Sequence, residues 1–185
     1  MYKSIIIRHS KTRKPWYTLR YNKLVQLIRQ EYDPPIDSKF LKEKIDLGKL
    51  KNRKVSLIYS SPSKRAIQTA RFISKIIKVP IKIIPELNEI KFEALPYTLY
   101  IQGKQKIRDY LFKKSTTKKI KFNKIESIAK ENAIIITHGF LMKKIYAKLY
   151  NINIGKLKDN DTLTDYISGF DSKSGKLISF ISIKN

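Results

Sequence analysis

The sequence predicts an α/β fold, a mostly parallel sheet with helices on both faces and a C-terminal hairpin. Three observations carry that expectation. Two triple-isoleucine runs, Ile5-Ile6-Ile7 and Ile134-Ile135-Ile136, each stop abruptly at polar residues, as buried parallel strands do where they leave a sheet. Apolar runs of strand length alternate with stretches of helical periodicity. The C-terminal residues read as two β-rich runs around a turn.

Taken in order, residues 3–8 read as the first strand, followed by a polar loop from Ser10 to Trp16. Leu19, Leu24, Leu27 and Ile28 predict a helix over 17–31, stopped before Asp33-Pro34-Pro35. Ile36, Phe40, Leu41 and Ile45 predict a second helix capped by Asp37 or Ser38. Residues 55–59 form a β-branched, apolar strand. Pro62-Ser63 opens a helix whose stripe is Ile67, Ala70, Ile73 and Ile77. Residues 81–84 form a short strand between two prolines, and 97–112 and 123–130 read as helices. Residues 134–137 are the second apolar strand, and Leu141, Ile145 and Leu149 stripe the helix after it. The hairpin is placed at 163–168, a turn from Asp171 to Gly175, and 177–183.

The 185 residues fit one domain across 1–185, long enough for a full core. A hydrophobic content of 42% argues against wholesale disorder. No apolar stretch approaches the roughly 20 residues that span a bilayer, and the N-terminus lacks a signal-peptide pattern. No membrane contact is expected, and the default location is cytoplasmic. The absence of cysteine removes disulfides, thiolate ligands and a thiol nucleophile.

Forty Lys and Arg stand against 15 Asp and Glu, a net charge of +25. A field of that sign attracts phosphorylated metabolites, nucleic acid or anionic surfaces. Two readings stand side by side, because abundant Ile, Lys, Asn and Tyr with few Gly also suit an AT-rich genome. The charge is densest over 104–130, with ten Lys and Arg against Asp109 and Glu126. This segment reads as a solvated face or loop and as a possible polyanion contact. No nucleic-acid motif accompanies it.

Four units carry chemistry. Arg8-His9 ends the first strand, where an imidazole can attack phosphorus beside a charge-neutralising guanidinium. Ser61-Pro62-Ser63-Lys64-Arg65 turns from strand to helix, so free backbone N–H groups and the Arg65 fork can meet an anion. Thr137-His138-Gly139 places a second histidine before a helix, as donor or acid/base. In residues 85–93, Glu86, Glu89 and Glu93 are three candidates for a proton donor, with Glu89 preferred. No Asp/His cluster has metal-ligand spacing, so neither metal nor cofactor is expected.

In order and rough spacing, from residue 3 to about 150, these units resemble the histidine phosphatase superfamily, which includes the phosphoglycerate mutases. The resemblance rests on Arg8-His9, on Ser61-Pro62-x-x-Arg65-Ala66-x-Gln68-Thr69-Ala70, on Leu87-x-Glu89-Ile90-x-Phe92 and on His138-Gly139. Asn160 and the hairpin suit the family's ending. The resemblance implies a phosphoglycerate mutase-like fold and a phosphatase acting through a phosphohistidine on His9. It further implies phosphate binding by Arg8, Arg65 and His138, and leaving-group protonation by Glu89. The substrate would be a phosphorylated small molecule. Ser10 stands where the family usually has glycine, either crowding the backbone's approach to phosphate or supplying a hydroxyl donor to it. Glu93-Ala94-Leu95-Pro96 lacks the usual glycines, which keeps Glu93 in contention. Tyr17, Arg20, Tyr97 and Tyr100 are placed at the substrate rim. The alternatives are a mutase-type phosphotransferase, disfavoured by the chain's length, and a basic polyanion-binding module without catalysis.

Overall fold

The computed structural model describes residues 3–46, 48, 54–157 and 165–180. Its sheet contains β1 (Ile5–Arg8), β2 (Leu57–Ser60), β3 (Ile81–Ile83), β4 (Ala133–Thr137), β5 (Ser168–Asp171) and β6 (Leu177–Ser179). Their order is β3-β2-β4-β1-β5-β6. The first four neighbours run parallel, and β5 is antiparallel to both β1 and β6. The two isoleucine runs lie side by side, with Ile5 opposite Ile134 and Arg8 opposite Thr137.

Seven helices accompany the strands among the described residues: α1 (Tyr21–Ile28), α2 (Ser38–Lys44), α3 (Lys64–Ile77), α4 (Tyr97–Ile101), α5 (Lys104–Thr117), α6 (Phe122–Ala129) and α7 (Gly139–Leu149). Strand side chains alternate between faces. Ile6 and Ile135 therefore pack against Ile125 and Ile128 of α6 and Leu141 and Ile145 of α7. Ile5, Ile7, Ile134 and Ile136 pack on the opposite face against Leu41 of α2 and Ala66, Ala70 and Ile73 of α3. All six isoleucines of the two runs are at most 1% exposed, each worth about 1.5–3 kcal/mol of burial. The doubly covered, mostly parallel sheet is the expected one.

A third apolar cluster stands apart from both faces. Leu24 and Ile28 of α1 meet Ile90, Phe92 and Leu95, together with Ile107 and Leu111 of α5. It roofs the crevice beyond the carboxyl ends of β1 and β4, where open α/β sheets place their ligands.

Three predicted elements differ in extent. The helix expected over 17–31 is a 3₁₀ turn at Trp16–Thr18 followed by α1, because Leu19 and Arg20 are extended. The helix expected over 97–112 breaks at Gly103, which has φ +94°, and α5 then continues to Thr117. The start of the 113–124 segment is thus an exposed helical face. The first hairpin strand begins at Ser168. Residues 163 and 164, like Asn160 and 181–183, lie outside the described residues. Ile167 adopts φ +54°, and Ser168 N–H closes a turn onto the Asp165 carbonyl at 3.2 Å, so 165–167 form a turn ahead of β5. No helix among the described residues is long and apolar enough to cross a membrane.

Candidate active site

Arg8 is the last residue of β1, and His9 N–H adds one further ladder bond to the Thr137 carbonyl at 3.0 Å. His138 follows β4 directly. Both imidazoles are buried, and their ring centroids lie 5.0 Å apart.

The hydrogen bonds fix how His9 is presented. Its Nδ1 lies 2.7 Å from the Ser10 carbonyl, which can only accept, so Nδ1 carries the proton. Nε2 is left with a lone pair, toward which Arg65 Nε donates at 3.1 Å. Burial, reinforced by Arg65 and Arg8, holds the His9 pKa well below the ordinary histidine value. His9 is thus a neutral imidazole with Nε2 free for chemistry once the guanidinium finds another acceptor.

Arg65 sits in the first turn of α3, whose N-cap Ser63 accepts from Ala66 N–H. Its guanidinium reaches three partners: His9, His138 Nδ1 at 3.3 Å, and Asp33 Oδ1 at 2.7 Å. The Asp33 carboxylate also accepts from Lys64 N–H, at the start of the same helix. Arg8 stacks its guanidinium on the Tyr166 ring, 4.2 Å from the centroid. Tyr166 in turn lies 6.1 Å from the His9 ring.

His138 Nε2 meets two hydroxyls, Ser61 Oγ at 2.8 Å and Ser63 Oγ at 3.2 Å. Ser61 Oγ donates to Asn88 Oδ1 at 3.2 Å. Asn88 Nδ2 donates to Gln30 Oε1, and Gln30 Nε2 donates to the Glu89 carbonyl. Gln30 holds φ +63°, an uncommon conformation for a side chain-bearing residue. One chain of polar contacts therefore runs from His138 to the backbone of Glu89. Burial, then Arg65, His9 and Arg8, lower the His138 pKa.

Glu89 lies where a late loop passes the start of α7. Its Oε1 accepts from Leu141 N–H and Ile90 N–H, both at 3.0 Å, and Oε2 accepts from Phe140 N–H at 3.2 Å. These donors favour the carboxylate, yet burial outweighs them and raises the Glu89 pKa. Glu93 is elsewhere: its side chain is 88% exposed and pairs with Lys118 at 3.7 Å.

A cavity of about 320 Å³ opens onto Arg8, His9, Arg65 and Glu89. His138 and Ser10 do not line it. His138 sits behind Arg65. The Ser10 N–H donates to Thr69 Oγ1 at 2.9 Å, and its buried Oγ has no hydrogen-bond partner among the described residues. Of the four rim candidates, Tyr17 lines the cavity, whereas Arg20, Tyr97 and Tyr100 do not. Tyr97 and Tyr100 instead pack on Tyr21. Among the described residues, no group of three His, Asp or Glu side chains is placed to hold a metal ion.

Sequence reasoning missed Asp33 and Tyr166. Asp33 was legible only as a helix stop before two prolines. Tyr166 fell inside the misplaced hairpin strand.

The profile of the histidine phosphatase superfamily (branch 1) matches residues 4–130. No curated protein matches the sequence. Among solved structures, a phosphoserine phosphatase mutant from Entamoeba histolytica, in complex with phosphoserine, superposes with a TM-score of 0.61 at 19% identity, covering 98% of each chain. Mycobacterial hydrolase 1 gives 0.61 at 13% identity, over 99% of this chain and 98% of that one. The mycobacterial glucosyl-3-phosphoglycerate phosphatase complexed with VO3 gives 0.52 at 12% identity, over 100% and 99%. A profile match of this extent, on a fold shared with these proteins from end to end, makes the chain a member of branch 1 of the histidine phosphatase superfamily.

Proposed function

We propose that the protein is a phosphatase that hydrolyses phosphomonoesters through a phosphohistidine on His9. The observation that carries this reading is the His9 hydrogen-bond pattern, with Nδ1 tied to the Ser10 carbonyl and Nε2 left as the lone-pair nitrogen of a residue that lines the cavity. Nε2 attacks phosphorus, forming an N–P bond as the ester P–O bond breaks. The Glu89 carboxyl, which burial keeps protonated above the usual carboxylate range, gives its proton to the departing alkoxide. Water then attacks the phosphohistidine, its proton returns to Glu89, and inorganic phosphate leaves. Arg8 and Arg65 neutralise charge on the phosphoryl oxygens throughout, the dominant contribution in such chemistry. The reaction so written uses neither metal nor cofactor.

We assign His138 the role of a switchable donor. With Arg65 donating to Nδ1, its proton sits on Nε2 and points to Ser61 Oγ. When phosphate draws Arg65 away, the Ser63 hydroxyl can donate to Nε2 and leave Nδ1–H for a phosphoryl oxygen. Ser10, proposed as a further phosphate contact, has its unpartnered Oγ to offer. A separate, non-catalytic contact with a polyanion is supported by the exposed Lys113, Lys114, Lys119, Lys121 and Lys124.

The test is phosphate release from a panel of phosphomonoesters in the presence of a chelator, wild type against His9→Ala, with trapping of acid-labile phosphate on the protein. Hydrolysis lost in the variant, with label on His9, is expected. Equal release by both proteins, or none by either, overturns the reading. Transfer to a second substrate in place of release would indicate a mutase.

A further inference from the structure

We infer that the substrate's alcohol portion carries an apolar body of about the size of one aromatic ring or a short hydrocarbon chain, seated on an apolar wall of the cavity. The inference rests on the proposed phosphatase reading and concerns the part of the cavity beyond the reacting phosphoryl group.

That part is walled by the third apolar cluster. Leu24, Leu27 and Ile28 of α1, Phe92, Leu111 of α5 and Phe140 of α7 all line it, with Trp16 and Tyr17 near them. Of the polar lining residues, Thr12 and Gln30 are occupied within the protein, whereas Lys104, Arg108, Lys143 and Asp165 bring charge to the same cavity. Thr12 Oγ donates to the Lys14 carbonyl at 2.9 Å. Both ends of the Gln30 amide are used by Asn88 and the Glu89 carbonyl. Lys104 and Lys143 lie over the rings of Tyr17 and Phe112, 4.4 and 5.3 Å from their centroids.

A substrate hydroxyl held against the apolar residues of this wall, away from the charged ones, would go unpaired and bind less well than in water. A methylene in the same place gains about 0.8 kcal/mol. The balance therefore turns against glycerol-like or sugar bodies with every hydroxyl. Size sets the other limit. An apolar cavity of about 150 Å³ takes up benzene, so roughly 320 Å³ holds one such ring together with the phosphoryl group. The cations Lys104 and Arg108 add to the field that draws a phosphate dianion in.

The experiment measures kcat/KM of the full chain for n-alkyl phosphates from ethyl to octyl and for benzyl phosphate. Glycerol 3-phosphate, phosphoserine and 3-phosphoglycerate are the polar comparisons. Ester reactivity varies little across the alkyl series, so the trend reports binding of the body. The expected result is a rise of about fourfold per methylene until the cavity fills, with hexyl phosphate at least tenfold above glycerol 3-phosphate. Leu27→Gln should lower the hexyl-to-ethyl ratio. A flat series, or preference for the polar esters, overturns the inference and leaves the phosphatase reading intact. No turnover of any ester would instead count against the phosphatase. Calorimetry with hexylphosphonate against inorganic phosphate then decides the inference alone, with at least tenfold tighter binding expected and equal binding overturning it.

Discussion

Arg65 Nε lies 3.1 Å from His9 Nε2 and donates to it, so the proposed nucleophile and the proposed phosphate ligand are each other's partner before substrate arrives. The contact occupies the His9 Nε2 lone pair and adds to burial, the larger cause, in holding the ring neutral, because a nearby cation disfavours a second positive charge. In the proposed reaction an arriving phosphoryl oxygen would take over the guanidinium and expose Nε2 in one exchange. The ion pair of Arg65 with Asp33 at 2.7 Å remains as the pivot.

Replacing Arg65 by Gln should act on both functions. The His9 pKa rises toward its ordinary value, though burial keeps it below, and kcat/KM falls by about 10²–10³-fold through lost charge stabilisation. NMR titration of the imidazole beside steady-state kinetics checks both. Asp33→Asn should lower kcat/KM about tenfold by loosening the guanidinium. An unchanged His9 titration in Arg65→Gln would refute the coupling.

The candidate acids separate by pH. The proposed mechanism needs His9 neutral and Glu89 protonated. Their shifts are downward and upward respectively, which favours an optimum on the acid side of neutrality. Glu89→Gln should remove the alkaline fall in kcat/KM and slow alkyl esters by about 10²–10⁴-fold, while p-nitrophenyl phosphate, whose leaving group needs no proton, is slowed far less. Glu93→Gln should leave both profiles as they are.

Stability should fall in acid for a reason specific to these two imidazoles. They are the chain's only histidines, and both have pKa values lowered by folding. Their stabilising contribution is complete above about pH 6.5 and is lost as pH drops toward the folded values, because the unfolded chain takes up the protons first. Each adds a slope of up to about 1.4 kcal/mol per pH unit. Glu89, with a raised pKa, works in the opposite sense at lower pH: its contribution is present below the ordinary carboxylate value and lost as pH rises through the folded one. Urea midpoints from pH 7 to 5 should fall in wild type and fall less in His9→Gln.

Gly169→Ala should destabilise by about 3 kcal/mol or more. A Cβ there would stand 1.8 Å from the Ile6 carbonyl oxygen and 2.9 Å from Ile7 Cα, so β5 and β1 must part. The strand displaced is the one that carries Arg8 and His9. Thermal melts measure the loss. Activity in this variant should drop more than the folded fraction does.

Much of this arrangement was legible because it is local. The isoleucine runs show burial by composition and strand ends by the polar residue that follows. Ser63 and Asp37 are capping residues that keep their caps in the fold. Which of the three glutamates the loop delivers to the start of α7 is not a local matter, and only the packed structure shows that Glu89 meets Phe140 and Leu141 there. Ile167 illustrates the opposite limit. A β-branched residue suggests a strand, yet tertiary packing holds it in the left-handed region, buried, with its carbonyl accepting from Phe180 N–H. Asp33 finds Arg65 across 32 positions, a pairing that no local pattern announces.

The register of β1 on β4 acts as a caliper. Ile5 through Arg8 stand opposite Ile134 through Thr137, and the same offset carried one step further sets His9 opposite His138. The 5.0 Å between their rings is close to the roughly 4.8 Å that separates any two neighbouring strands. Backbone hydrogen bonding thus brings the two imidazoles within reach of each other, and their side-chain hydrogen bonds fix the final placement of the rings. Inserting a single residue into either isoleucine run would slide one jaw by about 3.3 Å and turn its histidine to the other face of the sheet.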